Sequence, residues 1–143
     1  MANDFNGTFK YTAGLNHVGS YQASARPYVK TELTAPVSGA VNTALEVAFP
    51  KVTKFVTVRN DGAAASSSCD IRLAFATGGL DEANDNYITI AESASFSADF
   101  RITRLYLMSA EAGTVNATVI AGLTNIDASH LTSSWEGLEG IDS

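Results

Sequence analysis

The segment YITIAESASFSADFRITRLYLMSAEAGTVNATVIAGLT, residues 87–124, has the clearest periodicity in the chain. Ile88 and Ile90 alternate with Thr89 and Ala91, and Phe96, Ala98 and Phe100 alternate with Ser97, Asp99 and Arg101. Leu105 and Leu107 alternate with Tyr106 and Met108, and Val115, Ala117 and Val119 with Asn116, Thr118 and Ile120. Successive side chains of a strand point to opposite faces, so a period of two puts each set on one face of a sheet. The segment reads as four strands in series. The polar breaks at Glu92 and Ser93, and at Glu111, Ala112 and Gly113, have the length of turns between antiparallel neighbours. The rest of the chain is expected to pack on or beside this sheet.

Upstream, further short strands are expected. Residues 27–33 (PYVKTEL) suit an edge strand with Pro27 at its start, because proline cannot donate to a ladder. A turn cluster (TAPVSG, 34–39) follows. In residues 44–49, Leu45, Val47 and Phe49 should point inward, and residues 52–59 (VTKFVTVR) are strongly β-forming. Residues 60–68 (NDGAAASSS) read as a loop. Ile71, Leu73 and Phe75 then alternate with Asp70, Arg72 and Ala74, before a longer polar loop at 77–86. Many short strands at this spacing predict an all-β fold: a single antiparallel β-sandwich, jelly-roll-like, with extended N- and C-terminal arms. The expected division is an N-terminal arm and first short strand (1–30), a sandwich core (31–124) and an acidic C-terminal tail (125–143). Asp127 is placed to cap a single turn reaching Leu131.

The 143 residues suit one domain with a sizeable core. Cys69 is the only cysteine, so no internal disulfide forms, and a buried position beside a strand is expected for it. The start, MANDFNGTFKY, lacks the apolar run of a signal peptide, and no stretch has the length of a membrane-spanning helix. Synthesis in the cytoplasm, with no membrane partner, is the expectation. Net charge is −6 and unevenly spread. Residues 1–60 hold six basic and three acidic side chains, and residues 61–143 hold three and twelve. With no Lys or Arg after Arg104, the clustered positive charge that nucleic acid requires is missing. Opposite-signed ends would suit contacts between subunits, against a background of ordinary solubilising charge.

No catalytic constellation stands out. His17 and His130 have no second His or Cys at metal-ligand spacing. Ser, His and Asp are all present, but without a nucleophile elbow. Neither glycine-rich nucleotide-binding pattern occurs. Asp81, Glu82, Asn84, Asp85 and Asn86 form an oxygen-rich loop whose spacing does not match an EF-hand. Asp81 and Asp85 are the weak calcium candidates there, a solvated loop is the simpler reading, and no cofactor is expected. The candidate interaction residues are Phe5, Phe9, Tyr11 and Tyr21 in the N-terminal arm, Arg101 and Arg104 between core strands, and Trp135 in the tail. For the two arginines, pairing with Asp99, Glu92 or a tail carboxylate stands beside a role at a subunit contact. Tyr106 is expected to face outward and, with Tyr87, is the aromatic pair that a carbohydrate-binding sandwich would use.

Residues 14–29 (GLNHVGSYQASARPYV), 49–60 (FPKVTKFVTVRN), 95–109 (SFSADFRITRLYLMS), 119–126 (VIAGLTNI) and the tail LTSSWEGLEGI together resemble small virion structural proteins of tailed bacteriophages, of the decoration or cement kind. These segments cover well over half of the chain. The resemblance implies a non-enzymatic β-sandwich that assembles with copies of itself and binds the major capsid protein or other virion proteins. It also implies a place in the virion, with synthesis in the host cytoplasm. It transfers no catalytic residue. A tail, neck or fibre-base accessory protein is the neighbouring reading.

Overall fold

The computed structural model describes residues 13–37, 44–63, 69–81, 83–131 and 140–141. Among them run eight strands: β1 (Arg26–Ala35), β2 (Leu45–Ala48), β3 (Lys51–Ala63), β4 (Ile71–Ala74), β5 (Ile88–Ile90), β6 (Ser95–Ala98), β7 (Arg104–Ser109) and β8 (Val115–Asp127). A short helix, α1 (Val18–Gln22), precedes them, and 3-10 turns lie at Gly78–Leu80 and Ala128–His130. The fold is an all-β sandwich of two four-stranded antiparallel sheets, ordered β1-β8-β3-β6 and β2-β7-β4-β5. As the sequence predicts, Pro27 stands near the start of an outer strand, β1, where its missing N–H interrupts no ladder.

Residues 87–124 do hold four strands, but these do not pair with one another. β5 and β7 belong to the second sheet, β6 and β8 to the first. Each short polar break therefore carries the chain across the sandwich instead of around a hairpin. β1 pairs with β8, β2 with β7, β3 with β6 and β4 with β5, and β3–β8 and β4–β7 pairs complete the two sheets. Only β4 and β5 are both consecutive and in one sheet. The chain is thus doubled back on itself about the segment between them.

The crossings satisfy their backbone groups through hydrogen bonds to neighbouring strands, several of them made by buried polar residues. After β5, Ser93 N–H donates to the Asn60 carbonyl (3.1 Å) and Asn60 N–H to the Ala94 carbonyl (3.0 Å). After β6, the Thr53 hydroxyl donates to the Phe100 carbonyl (2.6 Å) and accepts from Ile102 N–H (3.1 Å). After β7, Ala110 N–H donates to the Asp70 carbonyl (2.9 Å). Asn60, 1% exposed, does most: its Nδ2 donates to the carbonyls of Cys69 (2.8 Å) and Ile90 (3.1 Å), and its Oδ1 accepts from Gly62 N–H (2.9 Å).

The same groups lengthen the strands. β3 continues to Ala63, so Asn60 is a buried strand residue and not the start of a loop. β1 includes Thr34 and Ala35, which were expected in a turn. β8 runs past Thr124 to Asp127, because the Thr124 hydroxyl donates to the Val52 carbonyl (2.7 Å) and accepts from Ile126 N–H (3.2 Å) where the β3–β8 register shifts. The sandwich thus draws residues from both sides of the boundaries expected at 30/31 and 124/125.

Between the sheets, Val56 and Val58 of β3 and Val115, Ala117, Val119 and Ala121 of β8 join Val47, Ile71, Leu73, Leu105 and Leu107 of the second sheet, all at 0% exposure. Cys69 is buried at the rim of this core, as expected. Phe100, expected to continue the strand face of Phe96 and Ala98, lies beyond the end of β6 and is 39% exposed. The second sheet is also buried on its outer face. There Ala74, Leu80, Tyr106 and Met108 form a second cluster, with Ala44 and Tyr87 against it. Tyr106 therefore stands on the outer face of its sheet as expected, but is covered there by its own chain. The expected polar loop after β4 carries Leu80, fully buried, as its plug.

Replacing Asn60 with Ala removes three hydrogen bonds and strands two buried carbonyls. The expected loss is about 3 kcal/mol of stability, read from the urea unfolding midpoint. Asn60→Asp should cost at least as much, since a carboxylate cannot donate to carbonyls.

Candidate interaction surfaces

The N-terminal segment is tied to the sandwich at its root. The Leu15 carbonyl accepts two hydrogen bonds, from the Tyr21 hydroxyl (2.9 Å) and from Arg101 Nη1 (3.0 Å). The Arg101 guanidinium also stands 5.7 Å from the centre of the Tyr21 ring, within cation–π range. Lys54 Nζ donates to the Ala23 carbonyl (3.2 Å). Glycine at 122 allows the approach: a Cβ there would lie 2.3 Å from the Phe55 ring and 2.6 Å from the Ala25 methyl. Two of the expected interaction residues, Tyr21 and Arg101, are thus brought together, 80 positions apart in the chain. They act within one molecule, holding residues 15–25 on its own first sheet.

The C-terminal side meets the same arginine. A cleft of about 330 Å³ is lined by Phe75, Asp99, Phe100, Arg101, Ile102 and Ile141. Phe75 and Phe100 meet edge to face at 5.4 Å. The backbone of Ile141 lies so near Gly79 that a Cβ there would fall 2.4 Å from the Ile141 carbonyl oxygen. Ile141, one of the apolar residues of the expected tail, therefore docks on its own domain. Phe5, Phe9, Tyr11 and Trp135 lie outside the described residues.

Among the described residues, Arg101 and Arg104 are not paired with Asp99 or Glu92, and the tail carboxylates after Asp127 lie outside the described residues. Arg101 turns to Leu15 and Tyr21. Arg104 lies 4.0 Å from Glu46 of the paired strand β2, and a hydrogen bond with the buried Tyr106 side chain, reinforced by Glu46, raises its pKa against the opposing effect of burial. Tyr106 cannot serve as an exposed sugar platform, and Tyr87 lies under the Arg72 guanidinium at 4.7 Å. Asp81 Oδ1 accepts from Ala83 N–H (3.0 Å), and its carbonyl accepts from the N–H groups of Asn84 (3.0 Å) and Asp85 (3.1 Å). These are the bonds of a turn. Among the described residues, no group of three or more His, Cys, Asp or Glu is placed to hold a metal ion. His17 meets Ser20 (3.0 Å) within the first turn of α1, and His130 is exposed. The turn ending near Leu131 forms at Ala128–His130, but the Asp127 side chain does not cap it and pairs instead with Lys51.

The outer face of the first sheet is covered in part by residues 15–25 at Gly122 and exposed in part. Register puts Val29, Ile120, Thr57 and Ser97 in one row across β1, β8, β3 and β6. Val29 is 58% and Ile120 37% exposed, and the Thr57 and Ser97 hydroxyls bond to each other. The next row holds Thr118, Arg59 and Ser95. Asp61 pairs with Arg59 and accepts from the Thr118 hydroxyl (2.5 Å). Burial pushes the Asp61 carboxyl up, but the Thr118 hydrogen bond and the Arg59 ion pair outweigh it and hold its pKa below the ordinary 3.8. This face went unnoticed in the sequence because its residues come from four separate strands.

No protein-family model matches the chain, and no curated protein matches it. Among the described residues, no helix is long and apolar enough to cross a membrane. What fold and surface define is a β-sandwich with residues 15–25 and Ile141 held against it and with Val29 and Ile120 exposed on one sheet face.

Two outcomes are expected. Arg101→Ala should leave the sandwich intact but release residues 15–22, raising their amide exchange about fivefold, the equivalent of about 1 kcal/mol. Asp61 binds its proton more weakly folded than unfolded, so its contribution is present above pH 3.8 and is lost as pH falls through the depressed folded value. Asp61→Asn should accordingly lower the urea midpoint at neutral pH and flatten its decline on acidification.

Proposed function

We propose that this chain is a non-enzymatic virion structural protein, a homo-oligomeric decoration or cement component that binds the head surface of a tailed bacteriophage. The resemblance of five segments to such proteins is the origin of the reading. The observation that carries it is the layout of the surface: Leu15 and Ile141, the described parts of the two terminal segments, are both seated at Arg101, while Val29 and Ile120 are exposed on one sheet. Residues that leave a rigid body from an anchored root are well placed to order on a neighbour and add contact area outside the core. The partners are copies of itself and the major capsid protein or another virion protein. The nested pairing of first strand with last, second with seventh, and so inward, supports the jelly-roll reading of the sandwich.

The carbohydrate-binding alternative is weakened by the burial of Tyr106, which removes its aromatic pair. A tail, neck or fibre-base location draws on the same features and differs only in which virion protein is met.

The test is co-sedimentation of the purified protein with phage heads that lack it. The full chain should pellet with the heads. A form without residues 1–18 should remain folded by circular dichroism and stay in the supernatant. If the shortened form pellets as well as the full chain, the N-terminal segment is not the attachment element. If the full chain does not pellet, the head-surface reading fails.

A further inference from the structure

The outer face of the second sheet is apolar where Ala74, Tyr106 and Met108 stand, and Leu80 packs over it. Leu80 is carried by the 3-10 turn Gly78–Leu80. The hydrogen bonds of this turn run to its own loop. Gly79 N–H donates to the Ala76 carbonyl (3.2 Å) and Leu80 N–H to the Thr77 carbonyl (3.2 Å), while the Gly78 carbonyl accepts from Asp81 N–H (3.1 Å) and Asn84 Nδ2 (3.1 Å). Among the described residues, no hydrogen bond of Gly78–Leu80 reaches a strand. Packing is what seats Leu80. Behind the turn lies Ile141. Gly79 is buried, and a Cβ there would fall 2.4 Å from the Ile141 carbonyl oxygen, 2.9 Å from that of Asn86 and 3.3 Å from the Ala74 methyl. Ile141 also lines the apolar side of the cleft with Phe75, Phe100 and Ile102. Gly140, just before it, has φ +80° and open space where a Cβ would stand. Glycine takes this conformation without strain, so Gly140 sets the direction in which Ile141 arrives.

We propose that Ile141 is a strap across the Gly78–Leu80 turn, and that its seating keeps Leu80 on the outer face of the second sheet. The turn sits between two layers: Leu80 faces the sheet, and Gly79 faces the strap. A residue with a side chain at 79 would hold the strap away, so glycine is what lets the two backbones meet. With Ile141 displaced, the turn keeps its internal hydrogen bonds and swings out as a unit. That uncovers Ala74, Tyr106 and Met108 but leaves the core between the sheets closed. Units held by few contacts open at a lower free energy than the whole fold. The strap therefore decides whether the second sheet presents a closed or an apolar outer face. This inference goes beyond the virion reading and does not rest on it.

The experiment is amide hydrogen exchange of the full chain, followed at residues 78–81 and in β3 and β8, with binding of the dye ANS as the measure of exposed apolar surface. Ile141→Asp takes the apolar side chain from the cleft and adds a carboxylate to the one that Asp99 already places there. It should raise exchange at 78–81 about tenfold and increase ANS fluorescence, with β3 and β8 unchanged. Ile141→Val should behave as the wild type. Gly140→Ala adds only a methyl in open space, but forces a side chain onto a left-handed backbone. It disturbs the strap without touching the turn, and should give the same change in smaller degree, about threefold. A folded Ile141→Asp variant with wild-type exchange at 78–81 overturns the strap. So does a variant in which β3 and β8 speed up by the same factor as 78–81, because the loss is then global. If Ile141→Asp does not fold, Gly140→Ala decides by the same two criteria.

Discussion

The Asn60 side chain sits in the first sheet and bonds to two carbonyls of the second, one just before β4 and one at the end of β5. Nothing apolar can substitute for it, because those carbonyls are buried and need donors. The same residue fixes the turn after β5 through its backbone. With Thr53 and Thr124 it belongs to a small set of buried polar side chains that bond the backbone at points where β3 and β8 shift register or the chain changes sheets. The apolar core is permissive by comparison, since aliphatic residues of similar volume pack acceptably in several arrangements. It is the polar set that selects this arrangement from the many that period-two strands allow.

That division of labour explains what the sequence revealed. Strand positions were legible because alternation such as Ile71, Leu73 and Leu105, Leu107 follows directly from burial on one face. The pairing was not. A two-residue polar break such as Glu92 and Ser93 looks the same whether it turns within a sheet or crosses between sheets, and the deciding partner, Asn60, is about thirty residues away. Strand ends were misjudged for the same reason: Asn60 is disfavoured in strands by propensity, and tertiary hydrogen bonds make it a strand residue, while those of Thr124 carry β8 on past it. Of the candidate interaction residues, Tyr21 and Arg101 were chosen separately, and their meeting over the Leu15 carbonyl was beyond any local pattern. Tyr106 was misjudged because alternation assumes one wet face, and the second sheet has none at that point.

The two outer faces give the molecule a direction. One is finished by its own loop, with Leu80 and Tyr106 inside. The other carries the exposed Val29 and Ile120 and receives the N-terminal segment at its Gly122 end. Arg101 borders both the N-terminal root and the cleft that holds Ile141, so the described parts of the two chain ends meet at one side chain.

The pairing of β1 with β8 also has a mechanical consequence. Arg26, at the start of β1, lies opposite Leu123, near the end of β8. Tension between the two ends of the sandwich would therefore load that ladder as a zipper, opening one hydrogen bond at a time from the Arg26 end, and would not shear the whole strand at once. The root of the N-terminal segment lies against β8 near this opening point, latched by Arg101 and Lys54. A pull on that segment must first undo the latch, so the weakest direction of the fold is shielded by residues that contribute little to its core.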